Sequence, residues 1–378
     1  MLQAHRLVRG ILLGLAASML ASLSAATGQP SSIDAAGPTY AERLGWPPGT
    51  RALIVHVDDA GMSHESNLGA LQSITEGIAN SVSVMMPCPW VFEFAEMLRR
   101  HPEIDAGLHL TLTSEWDLYR WRPLLAGTAP GLLDDQGVLP ATVAEVVGSA
   151  TADEIEAEIR AQIAYARQLG IEPTHLDSHM GTLFATPQLL ERYVEVGIDT
   201  GIPVMLPGGH ATLLLQQLRA EGGAAAVERA AQLEQLGRQL GDHLWSSGLP
   251  VIDDLHNTTY GWIPGDGGEG LSDAELREYK VERYVAAMSE LRPGITMMIN
   301  HASAAGEHFL AISGSGPTRR GDLLALLDPR VAAAVAEQGI VLTTWRELMA
   351  RRSAVAPAEA AATSGSAAAA QRAAAPRP

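Results

Sequence analysis

The chain has 378 residues, of which 26 are Lys or Arg and 43 are Asp or Glu, for a formal net charge of −17. That balance argues against nucleic-acid and anionic-membrane partners, which need basic patches, and suits a neutral or cationic substrate. The single cysteine, Cys88, excludes an internal disulfide and a cysteine-based zinc site.

The chain opens with His5, Arg6 and Arg9, an apolar run over residues 10–23, and the small residues Ser24, Ala25 and Ala26. This pattern predicts a secretory signal peptide over residues 1–26, hence an exported protein, periplasmic or secreted. An uncleaved anchor is the alternative reading, although the apolar run is short for a bilayer span. No later stretch is apolar enough to insert in a membrane. Residues 27–50 form a lead-in, residues 51–350 one folded domain, and residues 353–378 an Ala/Pro-rich tail too poor in bulky apolar groups to fold.

Within the domain, β-like runs are predicted at 52–57, 81–86, 106–112, 174–177, 204–206, 251–255, 296–299 and 341–345. Helical stretches are predicted at 152–169, 189–200, 224–240, 273–291 and 322–338. In the first of these, Ile155, Ile159, Ile163 and Ala166 share one face. Strand–helix alternation of this length predicts an α/β fold with a parallel sheet, doubly wound or closed as a barrel. No glycine-rich phosphate loop follows the first strand, which counts against a nucleotide-binding fold. Residues 116–140 and 262–270 read as long loops able to act as lids or substrate walls.

Polar residues gather at the strand ends. Asp58 and Asp59 close the first run, His109 lies in the third, and His175, Asp177 and His179 close the fourth. Asp253, Asp254 and His256 close the sixth, and Asn300 and His301 the seventh. In a parallel barrel these ends share one face, where active sites are built. Adjacent carboxylates resist joint ionisation unless a cation sits beside them. Asp59, His109 and His179 make a candidate ligand set for a divalent ion, with magnesium and zinc the leading candidates and open positions left for water and substrate. Such an ion activates water for hydrolysis, and Asp58 is placed to take that water's proton. His175 and Asp177 read as support for the ligands or as substrate contacts.

These segments resemble the YdjC/ChbG-type carbohydrate deacetylases, relatives of the polysaccharide deacetylases. The resemblance rests on Asp58-Asp59 followed by Gly61, on Gly107-Leu108-His109-Leu110-Thr111, and on Thr174-His175-Leu176-Asp177-Ser178-His179. Asn300-His301, Arg320 and the stretch 323–329 add to it, and it spans about 51–348. It implies an irregular TIM-like (β/α) barrel, a single domain with long loops. It also implies a divalent metal held by Asp59, His109 and His179, with Asp58 as base and His301 as the acid that protonates the departing amine or as a group that otherwise stabilises the transition state. The implied reaction removes acetyl groups from N-acetylated amino sugars. Asp254, His256, Trp116, Trp262 and Arg320 are then candidate substrate contacts, with the tryptophans as sugar-stacking faces. A homo-oligomer is compatible with the sequence. Two other readings stand beside this one: a glycosidase using paired carboxylates, and a glycan-binding barrel without turnover.

Overall fold

A computed structural model describes residues 37–220, 223–265 and 267–356. The expected signal peptide lies outside the described residues, as does the expected tail apart from residues 353–356, which continue the last helix. Among the described residues, no helix is long and apolar enough to cross a membrane.

The strands β1 (Arg51–Ala60), β2 (Ser81–Val84), β3 (Ala106–Leu110), β4 (Leu176–Ser178), β5 (Asp254–His256), β6 (Gly294–Asn300) and β7 (Val341–Leu342) form one sheet. Its order is β4-β3-β2-β1-β6-β5, and every pairing is parallel. β1 is the hinge of the sheet. Its whole first half lies along β6, its second half along β2, and β7 pairs with Ala52 and Leu53. The predicted strand at 204–206 is reduced to single bridges, Leu176 with Val204 and Pro207 with Ile252. Those bridges connect β4 to β5 through irregular chain and curl the sheet into a distorted TIM-like barrel.

Helices cover the outside. Thr151 and Glu154 form a capping box that starts the helix Ala152–Gln168, and Ile155, Ile159, Ile163 and Ala166 are its buried face. Ser272 and Glu275 do the same for Asp273–Glu290. The helix Pro187–Thr200 starts at a Thr186 cap with Pro at its first position and stops at Gly201, which is left-handed. The single helix predicted at 322–338 is two, Gly316–Leu326 and Pro329–Glu337. Pro329 cannot continue a helix and starts a new one, with Asp328 as its cap. The crossover helices His64–Thr75 and Val91–Arg100 were not among the predicted ones.

The alternation of residues along the strands sorts the two faces of the sheet. Val55, Val57, Val82, Val84, Leu108 and Leu176 are buried apolar positions. Their neighbours at the alternate positions, His56, Ser81, Ser83, His109, His175 and Asp177, are buried and polar. The barrel interior is therefore lined with hydrogen-bonding groups that must satisfy one another.

Asp253 belongs to the opposite rim, since it precedes β5 rather than ending it. Its Oδ1 accepts from the Tyr40 backbone N–H at 2.9 Å, and its Oδ2 accepts from Ile295 at 2.8 Å and Ala41 at 3.2 Å. It ties the helix Tyr40–Arg43 to the start of β6. Asp253→Ala leaves these donors buried without partners and should lower the unfolding free energy by on the order of 3 kcal/mol. Urea denaturation measures this, and a loss below about 1 kcal/mol contradicts the role.

Candidate active site and metal centre

The site forms where β1, β3, β4 and β6 end. In a regular strand Asp58 and Asp59 would point to opposite faces. Here the β1–β2 register shifts between Val57 and Ala60, and Asp59 adopts φ 66°. The bulge turns both carboxylates toward the same space. A positive φ is unfavourable for a residue with a Cβ, least so for Asp and Asn. Gly61 continues the turn with φ +86°, and its N–H donates to Asn67 Oδ1 at 2.7 Å. A second left-handed pair, Met180 and Gly181, bends the chain directly after His179.

The ligand set expected from sequence comes together. Asp59 Oδ1 lies 3.3 Å from His109 Nε2 and 3.4 Å from His179 Nδ1. Asp59 Oδ1 is buried and has no hydrogen-bond partner. These spacings fit the edges of a tetrahedral ion site with bonds of about 2.0–2.1 Å, so the residues present suit a divalent metal. Each imidazole is anchored by its other nitrogen. His109 Nδ1 is 2.7 Å from Asp177 Oδ1, and His179 Nε2 is 3.1 Å from Glu115 Oε2. A carboxylate behind each histidine fixes the ring and strengthens it as a ligand.

Asp58 lies beside this set, with Oδ2 at 3.7 Å from both His109 Nε2 and His301 Nε2. His301 Nδ1 is buried without a partner. Burial lowers the pKa of His301 even though Asp59 and Asp58 pull it up. His301 therefore starts as a neutral ring next to the carboxylate that would take up a proton.

The sequence reading missed three groups. His56 Nε2 lies 3.1 Å from Asp58 Oδ1 and 2.9 Å from Asp177 Oδ2, and its Nδ1 meets Ser81 Oγ at 3.0 Å. Burial opposes a charge on His56, but Asp177 and Asp58 raise its pKa to about 9. Arg319 Nη1 donates to Asp59 Oδ2 at 2.6 Å. Burial works against ionising Asp59, yet Arg319, His109 and His179 hold its carboxyl well below the usual range. Glu115, behind His179, is the third. Period-two alternation through His56, Ser81, Ser83 and His109 was a signal that could have found His56; Arg319 and Glu115 lie outside the strands and carry no such periodic signal.

The other expected residues scatter. His175 is buried below the site, stacked on Trp345 at 5.3 Å, and desolvation holds it neutral. Trp116 packs with Tyr119, Trp121 and Phe309 in a wall beside Arg319. His256 meets Trp262 at 5.2 Å, and burial lowers its pKa to about 4. Asp254 accepts the backbone N–H groups of Leu213 and Leu255 and so caps the helix Thr212–Ala220 instead of facing the other acids. Arg320 pairs with Asp273 at the surface, while its neighbour Arg319 reaches the centre.

A distorted parallel barrel carrying an Asp–His–His cluster and a neighbouring Asp–His pair at its rim has the makings of a metal-dependent hydrolase. The sequence relationships agree with a hydrolase. The chain belongs to the YdjC-like protein family, which it matches over residues 52–337. It is 31% identical to a carbohydrate deacetylase of Thermus thermophilus over 305 residues, covering 81% of this chain and 96% of the relative. It is 34% identical to a chitooligosaccharide deacetylase of Yersinia enterocolitica over 133 residues, which is 34% of this chain and 49% of that one. Its fold is similar to the crystal structure of a candidate cellobiose-phosphate cleavage protein from Enterococcus faecalis V583. The TM-score is 0.59 at 19% identity, covering 79% of this chain and 99% of that one.

The histidines dictate how the metal-free protein responds to pH. His56 and His179 have pKa values raised to about 9 by their carboxylate neighbours against the pull of burial. The unfolded value is about 6.5, so this stabilisation is complete below about pH 6.5 and vanishes as pH climbs through about 9. The melting temperature of chelator-treated protein should fall over that window. Added zinc should restore it more strongly at the alkaline end, because His109 and His179 could bind a metal only when deprotonated. A flat or rising melting temperature in chelator contradicts this account.

Proposed function

We propose that the protein is a metal-dependent deacetylase that hydrolyses the N-acetyl amide of an amino sugar or a short oligosaccharide of such sugars. The observation that carries the reading is Asp59 Oδ1, buried, unpartnered and flanked by two carboxylate-backed imidazoles. The names of the relatives supply the substrate class. A divalent ion held by Asp59, His109 and His179 would lower the pKa of a bound water and polarise the acetyl carbonyl.

The chain's own groups handle the protons. Asp58 takes one proton from the attacking water, and its Oδ2 lies 3.7 Å from His301 Nε2. His301, neutral at the outset, receives a proton there and delivers it to the nitrogen as the C–N bond breaks. The products are acetic acid and the amine, which part as acetate and an ammonium once the remaining water proton has moved. Trp116 and Trp262 offer apolar faces to a sugar ring. A glycosidase would need a second free carboxylate across the cleft. Asp177 is locked between His56 and His109, and Asp254 caps a helix, so neither provides one. The N-terminal sequence supports an exported enzyme meeting its sugar outside the cytoplasm.

Acetate release from N-acetylated chito-oligosaccharides tests the reading. It should stop with chelator and return with metal. Asp59→Ala and His179→Ala should abolish both metal retention and activity. Asp58→Asn should keep the metal yet lose about 100-fold or more in kcat. No acetate from folded, metal-loaded protein rejects these substrates. Activity indifferent to chelator rejects the metal mechanism.

A further inference from the structure

Behind His301 lies a group of buried charges that the proposed chemistry does not use. Lys280, on the helix Asp273–Glu290, is fully buried. Its Nζ donates to Asp322 Oδ1 at 2.6 Å, to the Thr259 carbonyl at 2.7 Å and to Thr318 Oγ1 at 2.9 Å. An ammonium has three protons, and each has an acceptor. Asp322 Oδ1 also accepts from Tyr284 Oη at 2.8 Å, and Asp322 Oδ2 accepts the His301 backbone N–H at 3.1 Å. The same single Tyr284 O–H also lies within reach of Asn300 Oδ1, so the proton is shared between two acceptors, and Asn300 Nδ2 donates to the carbonyls of His56 and Met298, each at 3.0 Å.

Each contact ends on a wall of the site. Thr259 begins the turn Thr259–Gly261, whose Tyr260 ring lies 4.8 Å from the His301 ring. Thr318 lies on the helix Gly316–Leu326, one residue before Arg319, and its Oγ1 donates to the Tyr260 carbonyl at 2.9 Å. His301 follows directly on β6. A Cβ at Gly321 would lie 2.9 Å from Lys280 Cγ, so this helix packs on the lysine stem at a separation suited to glycine. A buried ion pair is a weak source of stability compared with apolar packing of the same volume. What it supplies here is fixed direction, because both Asp322 oxygens and the whole ammonium are committed.

We infer that Lys280 and Asp322 are positioning residues for His301: through the His301 amide, the 259–261 turn and the helix bearing Arg319, they hold the imidazole against Asp58. This inference rests on the deacetylase reading for its kinetic consequence, but its geometric consequence stands apart from that reading.

The test pairs Lys280→Met with Asp322→Asn, so that no lone charge stays buried, in wild-type and His301→Ala backgrounds. Four quantities are measured: kcat and KM for acetate release, metal affinity, melting temperature, and the crystal structure of the double variant. Expected are KM and metal affinity within about twofold of wild type and a kcat lower by about 10- to 100-fold. In the His301→Ala background the same pair should cost less than about twofold, because residues acting through one group are not additive. Equal losses in both backgrounds overturn the inference, as does unchanged kcat. If wild-type protein releases no acetate, the deacetylase reading fails by itself and the crystal structure decides. A His301 ring displaced from Asp58 while Asp59, His109 and His179 keep their places supports positioning; an unmoved ring refutes it. Should the double variant not fold, Gly321→Ala presses on the lysine stem alone and is judged by the same criteria.

Discussion

Three carboxylates, Asp58, Asp59 and Asp177, are buried within contact distance of the same few histidines. Removing that much negative charge from water is costly unless cations accompany it. Arg319 meets Asp59, a protonated His56 meets both Asp58 and Asp177, and a metal ion is the natural partner for the remaining Asp59 oxygen. Most of the rim follows from this requirement. The bulge in β1 brings adjacent acids to one side, and Ser81 and Ser83 of β2 each lie 3.0 Å from one ring nitrogen of His56.

The interior is consequently unlike that of a barrel filled with branched apolar side chains. Its hydrophobic core lies outside the sheet, between strands and helices, while its inner space is polar: Trp345 stacks on His175, the His175 and His56 rings meet edge to face at 5.0 Å, and His56 pairs with Asp58 and Asp177 beside the Asp59–His109–His179 cluster. Polar networks of this kind fix geometry when fully satisfied and are fragile when a member is lost. A second such network, built on Lys280 and Asp322, supports the wall opposite. The two meet at Asn300, whose amide bonds the His56 carbonyl from β6 while its oxygen meets Tyr284.

Much of this was legible in the sequence. The alternation of strand and helix specified a parallel sheet, and polar residues at run ends marked the rim, because strand ends are where a parallel sheet leaves side chains free. Asp59, His109 and His179 were readable for that reason. Other features depended on information that chain order does not carry. Residues 204–206 looked like a strand but were held by neighbours too irregular for a ladder. Arg319 and Arg320 were indistinguishable by type, and only the rotation of the helix Gly316–Leu326 decides that one faces the centre and the other faces Asp273. Asp254 carries an acid at a strand, as Asp58 does, but the arrival of a helix start beside it turned the same chemistry into a cap.

The closure between β4 and β5 separates two jobs that a regular barrel combines. The Asp59–His109–His179 cluster draws on β1, β3 and the residue after β4, within the continuous sheet, whereas the ring is completed by single bridges through irregular chain. At 203–209 the ring is laced by isolated backbone hydrogen bonds, among them the Met205 N–H to the Leu176 carbonyl and the Gly208 N–H to the Ile252 carbonyl, in place of a ladder. A seam of this kind opens at less cost than a ladder, so local opening of the barrel begins there rather than across β1.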